Sequence, residues 1–248
     1  MDNRRFSGLS SAFLHILAMM LMLCDHLWGT IVPGNDWLTW IGRIAFPIYA
    51  FLIVEGYFHT RSLRRYAVRL LVLALISEIP FDLMLTGAVF YPFHQNVLWT
   101  LLLGLGLIHC NELAAKKQRL WLRLLTAAGT VLLAYVLGYA AMVDYYGAGI
   151  LTVLTFYFLR KKTWWSFAAQ LAVLYYLNVE MLGGYYQEFS LLGTALTVHM
   201  QGMALLALVP IWLYRGRQGY HSKWFQTFCY GFYPAHMLLL FLIKTVLL

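Results

Sequence analysis

Asp25 and His26 stand side by side in the first apolar run of the sequence, and His15 lies eleven residues before His26. In an α-helix that spacing is about three turns and about 16 Å of rise, so the two histidines share a face, with Met19 and Met22 between them. A histidine beside a carboxylate at membrane depth suits general-base work, the carboxylate orienting the ring. The same pair also serves as a structural hydrogen bond between helix ends, and the residues alone leave both readings open.

Other polar groups interrupt apolar runs, where an ionisable side chain costs a few kcal/mol and needs a partner. Arg43 precedes Pro47 by four residues in IGRIAFPIYAF, and Glu78 and Asp82 flank Pro80 in SEIPFD at i and i+4. Either carboxylate is a candidate partner for Arg43, as a packing salt bridge or as part of a substrate site. His94-Gln95-Asn96 leads into a further run, where Asn96 reads equally as a simple N-cap. His236, in FYPAHML after Pro234, lies in mid-run with little structural excuse.

Metal-ligand spacing is missing: there is no HxxxH or HExxH, and His26, His94, His199 and His236 would have to converge from four helices. No metal is expected. A GxSxG elbow is also absent. Cys24, Cys110 and Cys229 sit in or beside apolar runs without CxxC spacing and read as small hydrophobes.

The elements that must carry these groups are membrane spans. Of 248 residues, 62% are hydrophobic and 11% charged, where soluble domains carry about 25% charge; the mean hydropathy is +0.69. Runs near 9–29, 38–58, 67–89, 95–111, 121–142, 145–159, 164–182, 190–214 and 224–247 predict about nine spans in a single all-α transmembrane domain over residues 1–248. The 145–159 run is short, and the 190–214 run contains Gly193, His199, Gln201, Gly202 and Pro210, which predicts a broken or tilted segment. The first run reads as a retained helix acting as its own insertion signal.

The net charge of +8 follows topology. With the N-terminus cytoplasmic, 16 of the 18 Lys and Arg residues fall in segments on one side, as expected for cytoplasmic loops. They cluster at Arg4–Arg5, Arg61–Arg69, Lys116–Arg123, Arg160–Lys162 and Arg215–Lys223. A bilayer, and no nucleic acid, is the partner this pattern predicts, with most polar membrane groups towards the extracytoplasmic side.

In order along the chain, HILAMMLMLCDHLWG, GRIAFPIYAFLIVEGYFHTRS, YAVRLLVLALISEIPFDLM, HQNVLWTLLLGLGL, DYYGAGIL and FCYGFYPAHMLLL resemble the TraX family. Its members are multispanning membrane proteins, and its type member acetylates a pilin N-terminus from acetyl-CoA. His15 stands where the family usually has a lysine, in a basic-x10-His pattern similar to the first helix of the acyltransferase-3 family.

The resemblance implies an acetyltransferase of the inner membrane with acetyl-CoA as donor and a pilin-like N-terminus, peptide or envelope glycan as acceptor. The anionic donor head group is then expected on Arg61, Arg64 and Arg65 or on neighbouring inner-loop cations, with its arm along His15, Met19, Met22 and His26. His26 with Asp25 is the expected base, and Arg43, Asn96 or His236 the donors to the tetrahedral oxyanion. Glu78, Asp82 and His94 complete the expected substrate site. A proton- or ion-coupled transporter would bury the same groups along a midplane path, with helices broken at prolines.

Overall fold

In the computed structural model, residues 8–191 and 194–247 are described. Arg4, Arg5 and Gly193 lie outside them. The chain folds as a helical bundle in the order α1 (Ser11–Thr30), α2 (Trp37–Gly42), α3 (Ala45–His59), α4 (Leu63–Thr86), α5 (Val97–Lys116), α6 (Leu120–Ala140), α7 (Tyr146–Phe158) and α8 (Trp164–Tyr175). A π-helix (Tyr176–Met181), a 3₁₀ helix (Met200–Ala207), α9 (Leu208–Leu213) and α10 (Lys223–Leu247) complete the helices.

Polar side chains set several of the starts. Ser10, Ser62, Asn96 and Thr163 each accept a backbone N–H of the first turn, of α1, α4, α5 and α8 respectively. Among the described residues, five helical stretches are long and apolar enough to cross a membrane: Ser11–Thr30, Trp37–His59, Val97–Lys116, Leu120–Ala140 and Lys223–Val246. Tyr146–Phe158 and Met200–Leu213 are apolar but shorter. Helix α4 has the length, at 24 residues, but carries Arg64, Arg65, Arg69, Glu78 and Asp82.

Burial separates centre from rim. Along α3 an unbroken stretch from Ala45 to Ile48 and another from Ala50 to Val54 is buried, which makes it the central helix. On α6 only Thr130, Ala134 and Gly138 are buried, while Leu124, Leu132 and Leu133 face outwards. An apolar outer face with the polar groups turned inwards is what lipid, rather than water, would cover.

The 190–214 run departs from a single span. Its first half forms an antiparallel hairpin, β2 (Tyr186–Leu191) with β3 (Thr194–His199), as suits the β-branched Thr194-Ala-Leu-Thr-Val198 stretch. The second half is 3₁₀ before it is α. Pro210 lacks an N–H and its ring crowds the carbonyl four residues back, which weakens a regular α-helix over the turn before it; the 3₁₀ stretch ends at Ala207 and α9 begins at Leu208. A short parallel pair, β1 (Leu9–Ser10) with β4 (Tyr214–Arg217), joins the start of α1 to the segment before α10.

Contacts sort the bundle into two ends. At the basic end Ser10 pairs with Arg217, Ala12 donates its N–H to the Gln218 carbonyl, Arg160 pairs with Glu55, and Lys162 donates to the Tyr214 carbonyl. The opposite end holds the contacts among Asp25, His26, Arg43, His94, Asp144 and His236.

Candidate functional site

α1 and α10 lie side by side and bring His26 against His236, with Nδ1 of His26 2.7 Å from Nε2 of His236 and the rings within 7° of parallel. Nδ1 of His236 lies 2.7 Å from the Phe232 carbonyl, one turn back on α10. A carbonyl only accepts, so that nitrogen carries the proton, and in the neutral ring Nε2 must then accept. The chain of bonds continues: Nδ1 of His26 donates to His236, which leaves the lone pair of His26 on Nε2. That nitrogen makes no protein hydrogen bond among the described residues, and His26 lines a cavity.

Asp25, expected to orient His26, points elsewhere. Its Oδ1 accepts from Nη2 of Arg43 and, at 2.6 Å, from the Thr39 hydroxyl; the same guanidinium nitrogen reaches Thr39 Oγ1 at 2.9 Å. The reason is the tight approach of α1 and α2. A Cβ on Gly42 would stand 2.5 Å from the Asp25 Cβ, so this glycine lets the carboxylate reach the adjacent arginine. Arg43 thus pairs with Asp25 rather than with Glu78 or Asp82. Among the described residues its buried Nε–H has no hydrogen-bond partner.

A third group closes the far rim. His94 Nε2 lies 3.3 Å from Asp144 Oδ1. Gln95 N–H donates to the Met142 carbonyl and Asp144 N–H to the Gln95 carbonyl, both at 2.9 Å, which staples the loop before α5 to the turn before α7. Met142, Tyr145 and Tyr146 adopt left-handed backbone in that turn, at φ 49°, 59° and 46°; such non-glycine conformations persist only where their surroundings hold them. The hydrogen bond that His94 donates to Asp144, with the charge of that carboxylate, raises the His94 pKa against the lowering effect of burial.

Glu78, Asp82 and Asn96 form a neighbouring structural cluster and do not line this cavity. Glu78 accepts from the Asn96 amide and from Trp99 Nε1 at 3.0 Å, Asn96 caps α5, and Asp82 Oδ2 accepts from Tyr91 N–H at 2.8 Å. The donors come from the start of α5 and the loop before it.

Two cavities meet inside the bundle. The one at the opposite end, about 260 Å³, is lined by Asp25, His26, Arg43, His94, Asp144 and Tyr145 among others. The second, about 250 Å³ and largely apolar, starts at the basic end beside Ser11, His15 and Gln218. Met22, Tyr49, Val97 and Tyr233 belong to the walls of both. His15 lines the basic-end cavity, His26 the other and Met22 both, along the shared helical face, whereas Met19 is packed away from them. Arg61, Arg64 and Arg65 line neither cavity. His236 stands behind His26, 5% exposed.

Thr39, Tyr49 and Tyr233 are cavity or hydrogen-bond partners that residue patterns missed. Only Thr39, one helical turn before Arg43, offered a spacing signal. Among the described residues no group of three or more His, Cys, Asp or Glu side chains is arranged to hold a metal ion.

Comparison with known proteins follows the same span. The TraX family, described as TraX protein, matches residues 10–244. A protein of Dichelobacter nodosus named "Probable fimbrial assembly protein FimC, serogroup H1" is 28% identical over 246 residues, covering 93% of this chain and 94% of that protein. No solved structure matches.

Proposed function

Since the chain belongs to the TraX family, we propose that it is a multi-pass acetyltransferase of the inner membrane, taking acetyl-CoA at its basic, cytoplasmic end. The acceptor enters from the opposite end. The observation that carries this reading is the pair of cavities with a common wall at Met22, Tyr49, Val97 and Tyr233. An apolar course from the basic end suits an extended thioester arm, and the polar cavity beyond it suits the reacting groups.

In this reading His26 Nε2 takes a proton from the acceptor amine or hydroxyl as its nitrogen or oxygen attacks the thioester carbonyl carbon. An α-amino group has a pKa of about 7.7–8.0 and is mostly protonated at neutral pH, so a base at this point matters. Arg43, which lines the polar cavity, is the candidate donor to the tetrahedral oxyanion. Collapse breaks the C–S bond, and the leaving thiolate recovers the proton from His26. His236 holds the Nδ1–H of His26 in place and so keeps the lone pair on the cavity side; it is a positioning residue. Asp25 fixes Arg43. The fimbrial name of the relative favours a pilin-like N-terminus as acceptor.

The test is equilibrium binding of radiolabelled acetyl-CoA to the purified protein in nanodiscs. Saturable binding displaced by excess CoA is the expected result, and its absence would sink the proposal.

A further inference from the structure

The polar cavity has a second histidine. His94 lines it together with His26, Arg43 and Asp144, and the transfer through His26 gives it no task. His94 comes from the loop before α5 and Asp144 from the turn before α7, and the backbone bonds of Gln95 with Met142 and Asp144 keep the two segments in register. The result is a histidine oriented by a carboxylate, the arrangement that adjacency suggested for Asp25 and His26, built here from residues 50 positions apart.

Nε2 of His94 lies 3.3 Å from Asp144 Oδ1. A carboxylate oxygen only accepts, so Nε2 carries the proton and the lone pair of the neutral ring is on Nδ1, which makes no protein hydrogen bond among the described residues. Asp144 Oδ1 also accepts from Tyr145 N–H at 3.1 Å, and Oδ2 has no protein donor among the described residues. The two side chains are 31% and 29% exposed, so neither is sealed from an incoming molecule. Facing the His94 ring are Asp144, Glu78 and Asp82 of α4, the edge of Phe81 and the ring of Tyr146; the same cavity holds His26 and Arg43, the latter tied to Asp25. The bond to Asp144, and then the charges of Asp144, Glu78 and Asp82, raise the His94 pKa against burial, in the direction of an amine's.

An ammonium nitrogen must lose one proton before it has a lone pair to attack with, and a second as the amide forms, whereas a hydroxyl oxygen loses only one. His26 accounts for a single proton. We propose that His94 is the first base for an amine acceptor: Asp144 Oδ2 seats the ammonium, Nδ1 of His94 takes one of its protons, and the freed nitrogen attacks the thioester carbonyl carbon while His26 takes the second. This rests on the acetyltransferase reading and adds a second base to it. The C–N bond forms and the C–S bond breaks; the thiolate recovers the proton held by His26, and His94 gives its own to water at the exposed rim. One proton is released for each amide made.

The test is the pH dependence of kcat for acetyl transfer from acetyl-CoA to the tripeptide amide Gly-Gly-Gly-NH2 by the full chain in nanodiscs. In wild type the acid limb should lie below the amine's own pKa of about 7.7–8.0, because His94 and the amine share one proton in the bound complex. In H94N the limb should rise to the amine's value, by about one pH unit, which makes the variant about tenfold slower at about pH 6.5 and brings it close to wild type at about pH 9. A residue that only holds the loop in place would lower kcat by the same factor at every pH. D144N, assayed at about pH 8, should raise KM for the tripeptide about tenfold, the lower range for a hydrogen bond to a charged group, and leave KM for acetyl-CoA near its starting value.

Wild-type protein that transfers no acetyl group to the tripeptide at any pH would overturn the acetyltransferase reading and this inference together. Transfer with a wild-type acid limb already at the amine's own pKa would overturn this inference alone, and needs no variant to be seen. So would an H94N loss that is the same at every pH, or an unchanged tripeptide KM in D144N.

Discussion

His26 and His236 differ in what each would lose on replacement. His26 offers the unprotonated Nε2 to the cavity, whereas His236 sits behind it and controls only the tautomer. His26→Ala should therefore lower acetyl transfer by about 10²–10⁴-fold, the usual worth of a general base, with CoA binding retained; single-turnover transfer and binding on one purified sample check it. His236→Phe should lower kcat less and leave KM for the donor near its starting value. At the rim, the hydrogen bond to Asp144 favours the protonated form of His94, so its folded pKa lies above its unfolded value. That contribution is complete below the unfolded pKa of about 6.5 and is lost as pH rises through the raised folded value. Asp144→Asn should accordingly cost melting temperature at about pH 6 and progressively less above neutrality, as a pH series of thermal melts on both proteins would read.

At the scale of elements, the approach of α1 to α2 decides the fate of Asp25. Gly42 leaves no room for a side chain against Asp25, whose Cα would lie 3.0 Å from an added Cβ. Gly42→Ala should push the helices apart and cost about 1–3 kcal/mol, as overpacking does. It should also separate Asp25 from Arg43. Denaturation in detergent reads the first effect, and a fall in kcat of the folded fraction reads the second. Serine at position 42, only slightly larger than alanine, should be no better tolerated.

Across the whole molecule, the basic end gathers clusters that are far apart in sequence. Arg160 meets Glu55, Lys162 meets the Tyr214 carbonyl, and Arg217 lies beside Ser10. Cations concentrated at one end predict a cytoplasmic position for that end. A reporter at the N-terminus should therefore read cytoplasmic and one at the C-terminus extracytoplasmic. The same side for both would make the number of crossings even and would shift the placement of the hairpin β2–β3 and the helices after it.

Much of the helical layout and the clustering of cations was legible in the sequence, because length, hydropathy and Lys/Arg position act through the local chain and its solvent. The shared face of His15 and His26 was legible too, since one helix fixes it. Tertiary structure alone decided that His236 and not Asp25 orients His26, that Asp25 goes to Arg43, and that Glu78 and Asn96 secure each other. It also put Gln218, Tyr220 and His221, and not Arg61, Arg64 and Arg65, among the walls of the basic-end cavity. These partners come from different helices, and which side chains meet depends on how closely the backbones approach: at Gly42, at Gly219 and along α10 against α1. That closeness is a property of packed surfaces, and no periodicity within one helix encodes it.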